Sequence, residues 1–456
     1  AAARALAAEA ATRRPVYGRT TGVGGNRDEA VEEDLEGHGL RLLRSHAGGV
    51  GPLLPSDVVR AMLVVRVNQL AAGGSGIRPE VVDALVAALG AGALPPVRAV
   101  GAIGTADLSA LAATGLALAG ELPWVAGGQV PPIELDPGDA LPLISSNACT
   151  LAQATLAWHE AERLLVAATA VAALSFLAVR GNAEAYAAEV QRVRPHPGQV
   201  DVAARLRALL TACGSEPARV QDPYGLRCVP QVHGAVSDAL DGLRRVLDVE
   251  LNAATENPLV SRATGDVFHH GNFHLAHVAL ALDQARAALV PASALSASRL
   301  GTLMDPEITG LRPFLATGPA ASSGLMIVEY VSADAHARLC AAAVPASTQS
   351  VHISRGLEEH ASFAWQGARL LVDALVALRT VLASELVATV RALRLRRAHP
   401  RGPLAHVLRA ASEGLSAEMA DRPSGDDIET ATRTLARLGD VVDDAVGDAP
   451  QPTGLL

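Results

Sequence analysis

The sequence contains no lysine, so arginine is its only strongly basic side chain. A Walker-type phosphate-binding loop and a pyridoxal-phosphate Schiff base both require a lysine amine, and both kinds of site are excluded. Aromatic residues are also few, at 3% of the 456 residues, whereas 50% of the chain is hydrophobic and 19% is charged. A chain of this length and balance is globular and has ample apolar side chains for a large core.

Positive charge and cysteine are scarce as well. The 38 basic and 47 acidic residues give a net charge of −9. No long basic run is present, which argues against binding to nucleic acid or to an anionic membrane, so the predicted partner is a small-molecule substrate. The four cysteines show neither a CxxC pair nor the Cys/His spacing of a zinc site, so we expect no metal and a cytoplasmic location. The uncharged stretch 164–179 is shorter than the roughly 20 residues that span a bilayer and predicts a buried helix.

Long stretches rich in Ala, Leu and Val with helical spacing dominate the chain and predict a mainly α fold. The predicted helices are 56–72, 79–90, 151–179, 235–251 and 364–392. Two short segments, 130–135 and 259–268, are predicted to form local strands. No βαβ alternation supports a nucleotide-binding sheet, so the glycine-rich run at 22–25 is weak evidence for a dinucleotide site.

The clearest linker-like composition lies at 192–200, where two prolines flank a histidine. We therefore divide the chain into an N-terminal domain, 1–190, and a second part, 191–456. The two parts are predicted to form one integrated fold.

Six polar segments that contain glycine, proline or paired carboxylates stand between the predicted helices. Such joints often carry function, because a rigid scaffold positions them. Two of the four tyrosines, Tyr17 and Tyr224, lie in these segments rather than on apolar helix faces. A capped turn is the simpler explanation for any one segment, whereas the six together favour a shared site. The segments are YGRTTG at 17–22, SHAGG at 45–49, QDPYGLRC at 221–228, TENP at 255–258, GNFH at 271–274 and EEH at 358–360.

The segment QDPYGLRCVPQVHG at 221–234 is close to a known family signature. The motifs YGRTTGVG, RSHAGGVG, RPHPGQ, TENPLV, GNFH and PASTQSVHIS accompany it in the family's order. On these motifs the sequence resembles the aromatic amino acid lyase family, the histidine, phenylalanine and tyrosine ammonia-lyases and related aminomutases, over nearly its full length. The resemblance implies a histidine ammonia-lyase-like fold with a central bundle of long helices. It also implies a homotetramer whose active sites combine residues of three subunits.

The resemblance assigns catalytic roles to individual residues. Tyr17 matches the general base that removes a proton from the substrate's β-carbon, and its ordinary pKa of roughly 10 means that it needs positive potential nearby. Arg227 matches the residue that clamps the substrate carboxylate, a task suited to the parallel donors of a guanidinium. Glu358 matches the carboxylate near the substrate amine, and His46 resembles the histidine-lyase version of the selectivity loop. The implied catalytic set is Tyr17, His46, Tyr224, Arg227 and Glu358.

The same resemblance supplies the residues that bind the substrate. They are Ser45, Gln221, Asn257, Phe273 and Leu357. Leu357 stands where histidine lyases have glutamine, so the floor near the amine is more apolar than in those enzymes. Structural roles are the alternative for two residues: Arg227 in a buried ion pair with Asp222 or Glu358, and Glu358 as a helix N-terminal carboxylate.

The main departure from the family pattern lies at Gly104, Thr105, Ala106 and Asp107. Family lyases have Ala-Ser-Gly before this aspartate, and the tripeptide is the source of the methylidene-imidazolone electrophile. The glycine nitrogen attacks the alanine carbonyl, and loss of water from the serine leaves an exocyclic alkene. Here Thr105 and Ala106 alone separate Gly104 from Asp107, and a Cβ on Ala106 crowds the turn. We therefore predict a degenerate cofactor turn and no methylidene-imidazolone.

A second departure points the same way. The family's Leu-Asn-Gly-Thr segment, whose asparagine supports the electrophile, appears here as LISSNA at 143–148. Without a gap, Ser145 replaces that asparagine. An alternative is that the letter at position 106 stands for the fused chromophore, which leaves Ser145 unexplained.

The predicted function is a lyase-type enzyme that has kept the carboxylate clamp and the acid/base groups of this scaffold. Its predicted chemistry is elimination, addition or cyclisation on a small carboxylate-bearing substrate without the internal electrophile. One alternative is a conventional histidine ammonia-lyase. The other is a non-catalytic ligand-binding paralogue, against which the retention of several convergent polar groups weighs.

Overall fold

The structure is a computed structural model, and it describes residues 2–31, 35–214 and 216–447. Helices joined by short turns make up most of these residues, so the predicted mainly α fold is confirmed. The α-helices are α1 (Ala2–Arg13), α2 (Leu35–His46), α3 (Ser56–Ala72), α4 (Pro79–Ala91), α5 (Leu108–Leu118), α6 (Ala140–Ile144), α7 (Ala148–Val179), α8 (Ala188–Arg192), α9 (Pro197–Leu210), α10 (Tyr224–Arg227), α11 (Val229–Glu250), α12 (Ala276–Met304), α13 (Pro306–Thr309), α14 (Met326–Ala342), α15 (Ala364–Leu395), α16 (Pro403–Ser412) and α17 (Gly425–Gly447). Short 3-10 turns occur at Gly24–Asn26, Ala183–Tyr186, Pro313–Leu315 and Ser354–Gly356.

The helix boundaries follow local residue chemistry. Helix α4 begins at Pro79, which needs no amide partner in the first turn, and is followed by Gly92 in the left-handed conformation with φ +66°. Helix α3 has the predicted bounds, and the other four predicted helices are found with ends shifted by up to six residues. The pattern of apolar residues therefore located these five helices.

Four short strands form two separate antiparallel pairs within the described residues. Strand β1 (Val50–Leu53) pairs with β2 (Arg98–Val100), and β3 (Leu259–Ser261) pairs with β4 (Asp266–Phe268) in the register Leu259–Phe268. The β3–β4 hairpin confirms the strand prediction for 259–268.

The strand prediction for 130–135 is wrong. This segment contains no strand, and its Ile133 N–H donates to the Leu118 carbonyl at the end of α5. Pro131 and Pro132 have no N–H to donate to a neighbouring strand. The segment is extended and covers the helix end instead of pairing.

The chain divides into two compact units, each built from three segments. The first unit is Ala1–Leu156, Leu243–Asp283 and Pro345–Arg369, and the second is Ala157–Gly242, Gln284–Val344 and Leu370–Leu456. The predicted boundary near residue 190 lies inside the first segment of the second unit. The division into 1–190 and 191–456 stays a prediction.

Two helical stretches are long and apolar enough to cross a membrane by length and composition. In Ala140–Val179 the most apolar window is 83% buried, and in Ala276–Met304 it is 44% buried. A core helix of a folded protein passes the same test. The stretch 164–179 lies in the first of these and is almost wholly buried, as predicted.

In the first unit, α1 packs on the β3–β4 hairpin. The buried side chains of this contact are Ala7, Ala10, Val16, Val260 and Val267. Val16, which follows α1, is fully buried, and this anchors the backbone next to Tyr17. Tyr17 N–H donates to His269 Nε2 at 3.2 Å, which joins this segment to the residue after β4.

Candidate active site

A cavity of about 690 Å³ lies within the first unit, and seven residues of the predicted site and cofactor turn line it. They are Tyr17, Thr105, Ala106, Asn257, Phe273, Leu357 and Glu358. Ser145 and three residues of the polar segments noted in the sequence, His274, Glu359 and His360, also line it. Its wall contains three further polar side chains that the sequence did not single out, Arg27, Asp28 and His269. The cavity therefore brings together residues that are up to 345 positions apart, from Pro15 to His360.

A second cavity of about 410 Å³ in the same unit contains Ser45 and His46. It shares four lining residues with the first, Tyr17, Leu108, Leu141 and Glu358. The Nδ1 of His46 lies 2.9 Å from the Leu42 carbonyl, which can only accept a hydrogen bond. In the neutral ring the proton is therefore on Nδ1, and Nε2 is an acceptor.

The phenol oxygen of Tyr17 accepts a hydrogen bond from Gly24 N–H at 2.7 Å. Burial raises the pKa of Tyr17 above its ordinary value of 10, and the Gly24 hydrogen bond opposes the rise. The charge of Glu358 also raises this pKa, whereas that of Arg27 lowers it. Within this unit Tyr17 is therefore a protonated phenol near neutral pH, and it needs an added positive charge to act as a base.

Glu358 follows the 3-10 turn Ser354–Gly356. Ile353 N–H donates to the Glu358 carbonyl at 2.9 Å, which closes the loop at its base. The loop meets the tyrosine segment closely: a Cβ built on Gly24 would lie 2.6 Å from Ser354 Oγ and 3.4 Å from Glu358 Oε1. Helix α15 begins at Ala364, so Glu358 is not a helix N-terminal carboxylate and that alternative is wrong.

The turn at Gly104–Asp107 has an unusual backbone. Ala106 has φ +89°, a strained value for any residue with a Cβ, and its N–H donates to Asn147 Oδ1 at 2.9 Å. The Asp107 carboxylate is fully buried and accepts hydrogen bonds from Thr150 N–H and Oγ1 at 2.7 and 2.8 Å. Burial raises the pKa of Asp107 to about 6 against these bonds. Asn147 and Thr150 thus hold the C-terminal half of the turn.

The start of α15 holds the other side of this turn. Ser362 Oγ donates to the Gly104 carbonyl at 2.8 Å, and Phe363 N–H donates to the Ile103 carbonyl at 2.8 Å. Trp365 Nε1 donates to the Ala99 carbonyl at 3.1 Å. These bonds fix the backbone that forms the cavity wall.

Replacing Gly104 with Ala should lower the free energy of unfolding by roughly 2 kcal/mol or more. A Cβ at this position would lie 2.1 Å from Ser362 Oγ and 2.9 Å from Ala364 N, and φ is +82°. Gly90→Ala is a matched control, because nothing lies within 4 Å of its Cβ position in α4. It should stabilise the protein by about 0.5–1 kcal/mol. Urea unfolding measures both, and equal midpoints for the two variants would contradict the prediction.

Ser145 and Asn147 make separate contacts beside the turn. Ser145 Oγ accepts a hydrogen bond from Asn257 N–H at 3.0 Å and so places Asn257 at the cavity. Asn147 Nδ2 donates to the Phe273 carbonyl at 2.7 Å while its Oδ1 holds Ala106. Asn147 therefore connects the turn to the segment that carries Phe273.

Two histidines form a pair in the cavity wall. His274 Nε2 lies 2.9 Å from His360 Nδ1, and the ring centroids are 5.0 Å apart. Burial lowers the pKa of His274, and the nearby His360 lowers it further. Among the described residues there is no group of three or more His, Cys, Asp or Glu side chains that could hold a metal ion.

Gln221, Tyr224 and Arg227 belong to the second unit. The Asp222 carboxylate there accepts from Arg219 Nη2 at 2.8 Å and from Asn182 N–H at 2.6 Å. No ion pair joins Arg227 to Asp222 in the described part of the chain, because Asp222 pairs with Arg219, so the Asp222 form of that structural alternative is wrong. The Arg227 guanidinium lies 4.8 Å from the centroid of the Tyr224 ring, which is 70% exposed.

The sequence and structure are similar to known proteins over nearly the whole chain. A family model described as aromatic amino acid lyase matches residues 1–415. A histidine ammonia-lyase of Geobacillus kaustophilus is 37% identical over 93% of this chain and 88% of its own. The crystal structure of the ergothioneine-degrading enzyme ergothionase from Treponema denticola, in complex with desmethyl-ergothioneine sulfonic acid, matches with a TM-score of 0.91 at 27% identity, over 96% of this chain and 92% of that one. That of histidine ammonia-lyase from Trypanosoma cruzi matches with a TM-score of 0.88 at 30% identity, over 100% and 92% of the two chains.

Proposed function

We propose a reaction from the premise that this chain belongs to the aromatic amino acid lyase family and is an enzyme of the lyase class. That membership sets aside the non-catalytic alternative. In our proposal the enzyme eliminates a tertiary amine from a small betaine that carries a carboxylate and an imidazole-type ring. The reaction runs without a methylidene-imidazolone.

The turn at Gly104–Asp107 is the observation that carries the proposal. Its residues do not fit the cofactor of the family, because there is no serine whose hydroxyl could leave and no glycine to supply the attacking nitrogen. The amide of Ala106 is instead engaged with Asn147 Oδ1 at 2.9 Å. The Ser145 hydroxyl accepts from Asn257 N–H, where the family asparagine would support the electrophile.

A reaction without an electrophile demands a leaving group that needs no activation. A primary ammonium is a poor choice, because its N–H protons are more acidic than the β-carbon proton and a phenolate base would remove them first. A trimethylammonium group has no proton to lose and departs as a neutral amine. The name of the Treponema denticola enzyme supports this choice, since ergothioneine is an imidazole-type betaine.

The cavity wall suits a permanent cation. Its lining includes the carboxylates of Asp28, Glu358 and Glu359 against one guanidinium, that of Arg27. Phe273 and Tyr17 add aromatic faces, and quaternary ammonium groups bind well to aromatic rings. A fixed positive charge in the cavity would also favour ionisation of Tyr17, which burial and Glu358 oppose.

In the proposed step the Tyr17 phenolate takes the proton of the carbon next to the ring. The electrons of that C–H bond form the carbon–carbon double bond, and the C–N bond breaks with its electron pair on the departing amine. Arg227 of a neighbouring subunit in the proposed homotetramer binds the carboxylate, and this limits build-up of negative charge in the transition state. The products are an unsaturated acid and a free tertiary amine.

The assembly and location are proposals of the same kind. We propose a homotetramer in a reducing cytoplasm. Tyr224, to which the family resemblance assigns a catalytic role, is 70% exposed in the single chain, and in our proposal another subunit covers it. The four cysteines are all unpaired, in keeping with a reducing location.

The test compares histidine with its Nα-trimethyl betaine. Both have the same ring and carboxylate, and both would yield urocanate, so the leaving amine is the only difference. We expect urocanate from the betaine and at least about a thousandfold lower kcat/KM for histidine, a difference of roughly 4 kcal/mol in activation free energy. Ergothioneine serves as the thiol-bearing counterpart. The absorbance of the unsaturated acid measures the rate of all three reactions. Efficient turnover of histidine without turnover of the betaine would overturn the proposal.

The second candidate is a conventional histidine ammonia-lyase, favoured by 37% identity to curated enzymes of that name. It requires the cyclised tripeptide, whose formation removes two water molecules. We expect the intact mass of the purified protein to equal that of its unmodified sequence. A deficit of two waters, located by peptide mapping to residues 104–107, would establish the conventional enzyme.

A further inference from the structure

Two buried side chains of the second unit hold the backbone of α10, the four-residue helix that carries Tyr224 and Arg227. Arg299 Nη1 donates to the Gly225 carbonyl at 3.0 Å. The hydroxyl of Tyr186 donates to the Leu226 carbonyl at 2.9 Å. A helix of one turn has little stability of its own, so these bonds determine where its side chains point.

Arg299 is itself immobilised. Its Nε and Nη2 donate to the two oxygens of Glu385 at 2.6 and 2.8 Å, and the pair is 1% and 0% exposed. The Glu385 oxygens also accept hydrogen bonds from Ser175 Oγ and Ser296 Oγ, both at 2.6 Å. Such a bidentate, fully satisfied pair has one orientation, and it leaves Nη1 of Arg299 free to hold α10.

Gly225 allows the close contact between Arg299 and α10. A Cβ built on Gly225 would lie 3.1 Å from Arg299 Cγ and 3.4 Å from Arg299 N. Arg299 therefore packs directly under the backbone between Tyr224 and Arg227. The exposed side of α10 then presents the Tyr224 ring with the Arg227 guanidinium 4.8 Å from its centroid.

We propose that Arg299, oriented by Glu385, is a positioning residue for the carboxylate-binding group of this enzyme. It acts through the Gly225 carbonyl and sets the direction of Arg227. The inference rests on the proposed role of Arg227 in binding the substrate carboxylate. Burying an ion pair costs desolvation free energy that an apolar core does not. The burial of Arg299 and Glu385 therefore agrees with a role in fixing one geometry.

The test is a double-mutant cycle with Arg299→Lys and Arg227→Ala in the full-length protein. Lysine keeps the charge but lacks the planar fork, so it cannot hold Glu385 with two bonds and Gly225 with a third. Calorimetry measures the Kd of urocanate and of 4-vinylimidazole, which lacks the carboxylate. We expect R299K to weaken urocanate about tenfold and vinylimidazole less than twofold, and to have no further effect in the R227A background.

The controls separate positioning from damage to the fold. Arg391 is a matched buried arginine of the same unit, 7% exposed, whose Nε donates to the Leu315 carbonyl at 2.9 Å. Arg391→Lys should lower the Tm without changing urocanate binding. If R299K does not fold, Glu385→Gln replaces it in the cycle. Glutamine keeps the shape of Glu385 but binds Arg299 less strongly, so we expect the same roughly tenfold weakening of urocanate binding.

Three results would overturn the inference. Urocanate binding that is unchanged in both R299K and E385Q rules out positioning. An equal loss of urocanate affinity with and without the Arg227 side chain means general damage, while the R227A effect itself still supports the proposed function. Urocanate binding that is unchanged in R227A removes both this inference and the assigned role of Arg227.

Discussion

Replacing Tyr17 with Phe should lower kcat for the betaine by about 100- to 10,000-fold and leave the Kd of urocanate within twofold. This range is what a general base contributes to proton abstraction. The variant removes one oxygen from the cavity wall, and the Gly24 N–H that donates to it at 2.7 Å loses its partner. Loss of that single bond is a small cost to binding compared with loss of the base.

The control for this variant is Tyr330→Phe, because Tyr330 is a 66% exposed tyrosine on α14. It should leave kcat unchanged. The pH dependence offers a second measurement. Since burial raises the pKa of Tyr17 in the free enzyme, kcat/KM should climb about tenfold per pH unit between pH 7 and 9, and Y17F should lose this slope. Full activity of Y17F would remove Tyr17 from the mechanism.

Replacing Arg227 with Ala should weaken urocanate binding by about 30- to 1,000-fold, since removing one partner of a buried charge pair costs about 2–4 kcal/mol. Binding of 4-vinylimidazole should change less than threefold, because this ligand has no carboxylate to leave unpaired. The Nε of Arg227 is buried without a hydrogen-bond partner among the described residues. Buried donors are normally paired, so this one is expected to bind a ligand or a group of another subunit.

The matched control is Arg338→Ala. Arg338 is a surface arginine of the same unit, 75% exposed and paired with Asp334 on α14. Its loss should alter neither ligand's Kd, because exposed ion pairs contribute little. If R227A weakened both ligands equally, Arg227 would serve the shape of the site and not the recognition of a carboxylate.

The fold was predictable where the chemistry is local. Helix α3 lies at the predicted residues because its apolar spacing and its flanking Pro55 and Gly73 act within a few positions. The β1–β2 pair was not predicted, since Gly51 and Pro52 inside β1 look like a turn and its partner lies about 45 residues away. The strand predicted at 130–135 was wrong. Its apolar residues alternate as in a strand, but its two prolines have no N–H to donate to a neighbouring strand.

The site was predictable only through its sequence motifs. Tyr17, Asn257 and Phe273 were found because they sit inside family motifs, and Glu358 was found in the polar segment EEH. The contact between His274 and His360 was not predicted, although both lie in polar segments that the sequence singled out, since the two rings meet across 86 residues. Asn147 was missed for another reason: the ungapped comparison gave its role to Ser145, and the three-dimensional arrangement gives each a separate contact.

The hydrogen bond between the Ala106 amide and Asn147 Oδ1 bears on how the enzyme reaches its active form. On the proposal that no methylidene-imidazolone forms, this part of the cavity wall is complete once its hydrogen bonds have formed and needs no covalent maturation after synthesis. The delay between translation and first turnover would then be set by folding and subunit assembly, and the specific activity of a preparation would not rise with the age of the protein.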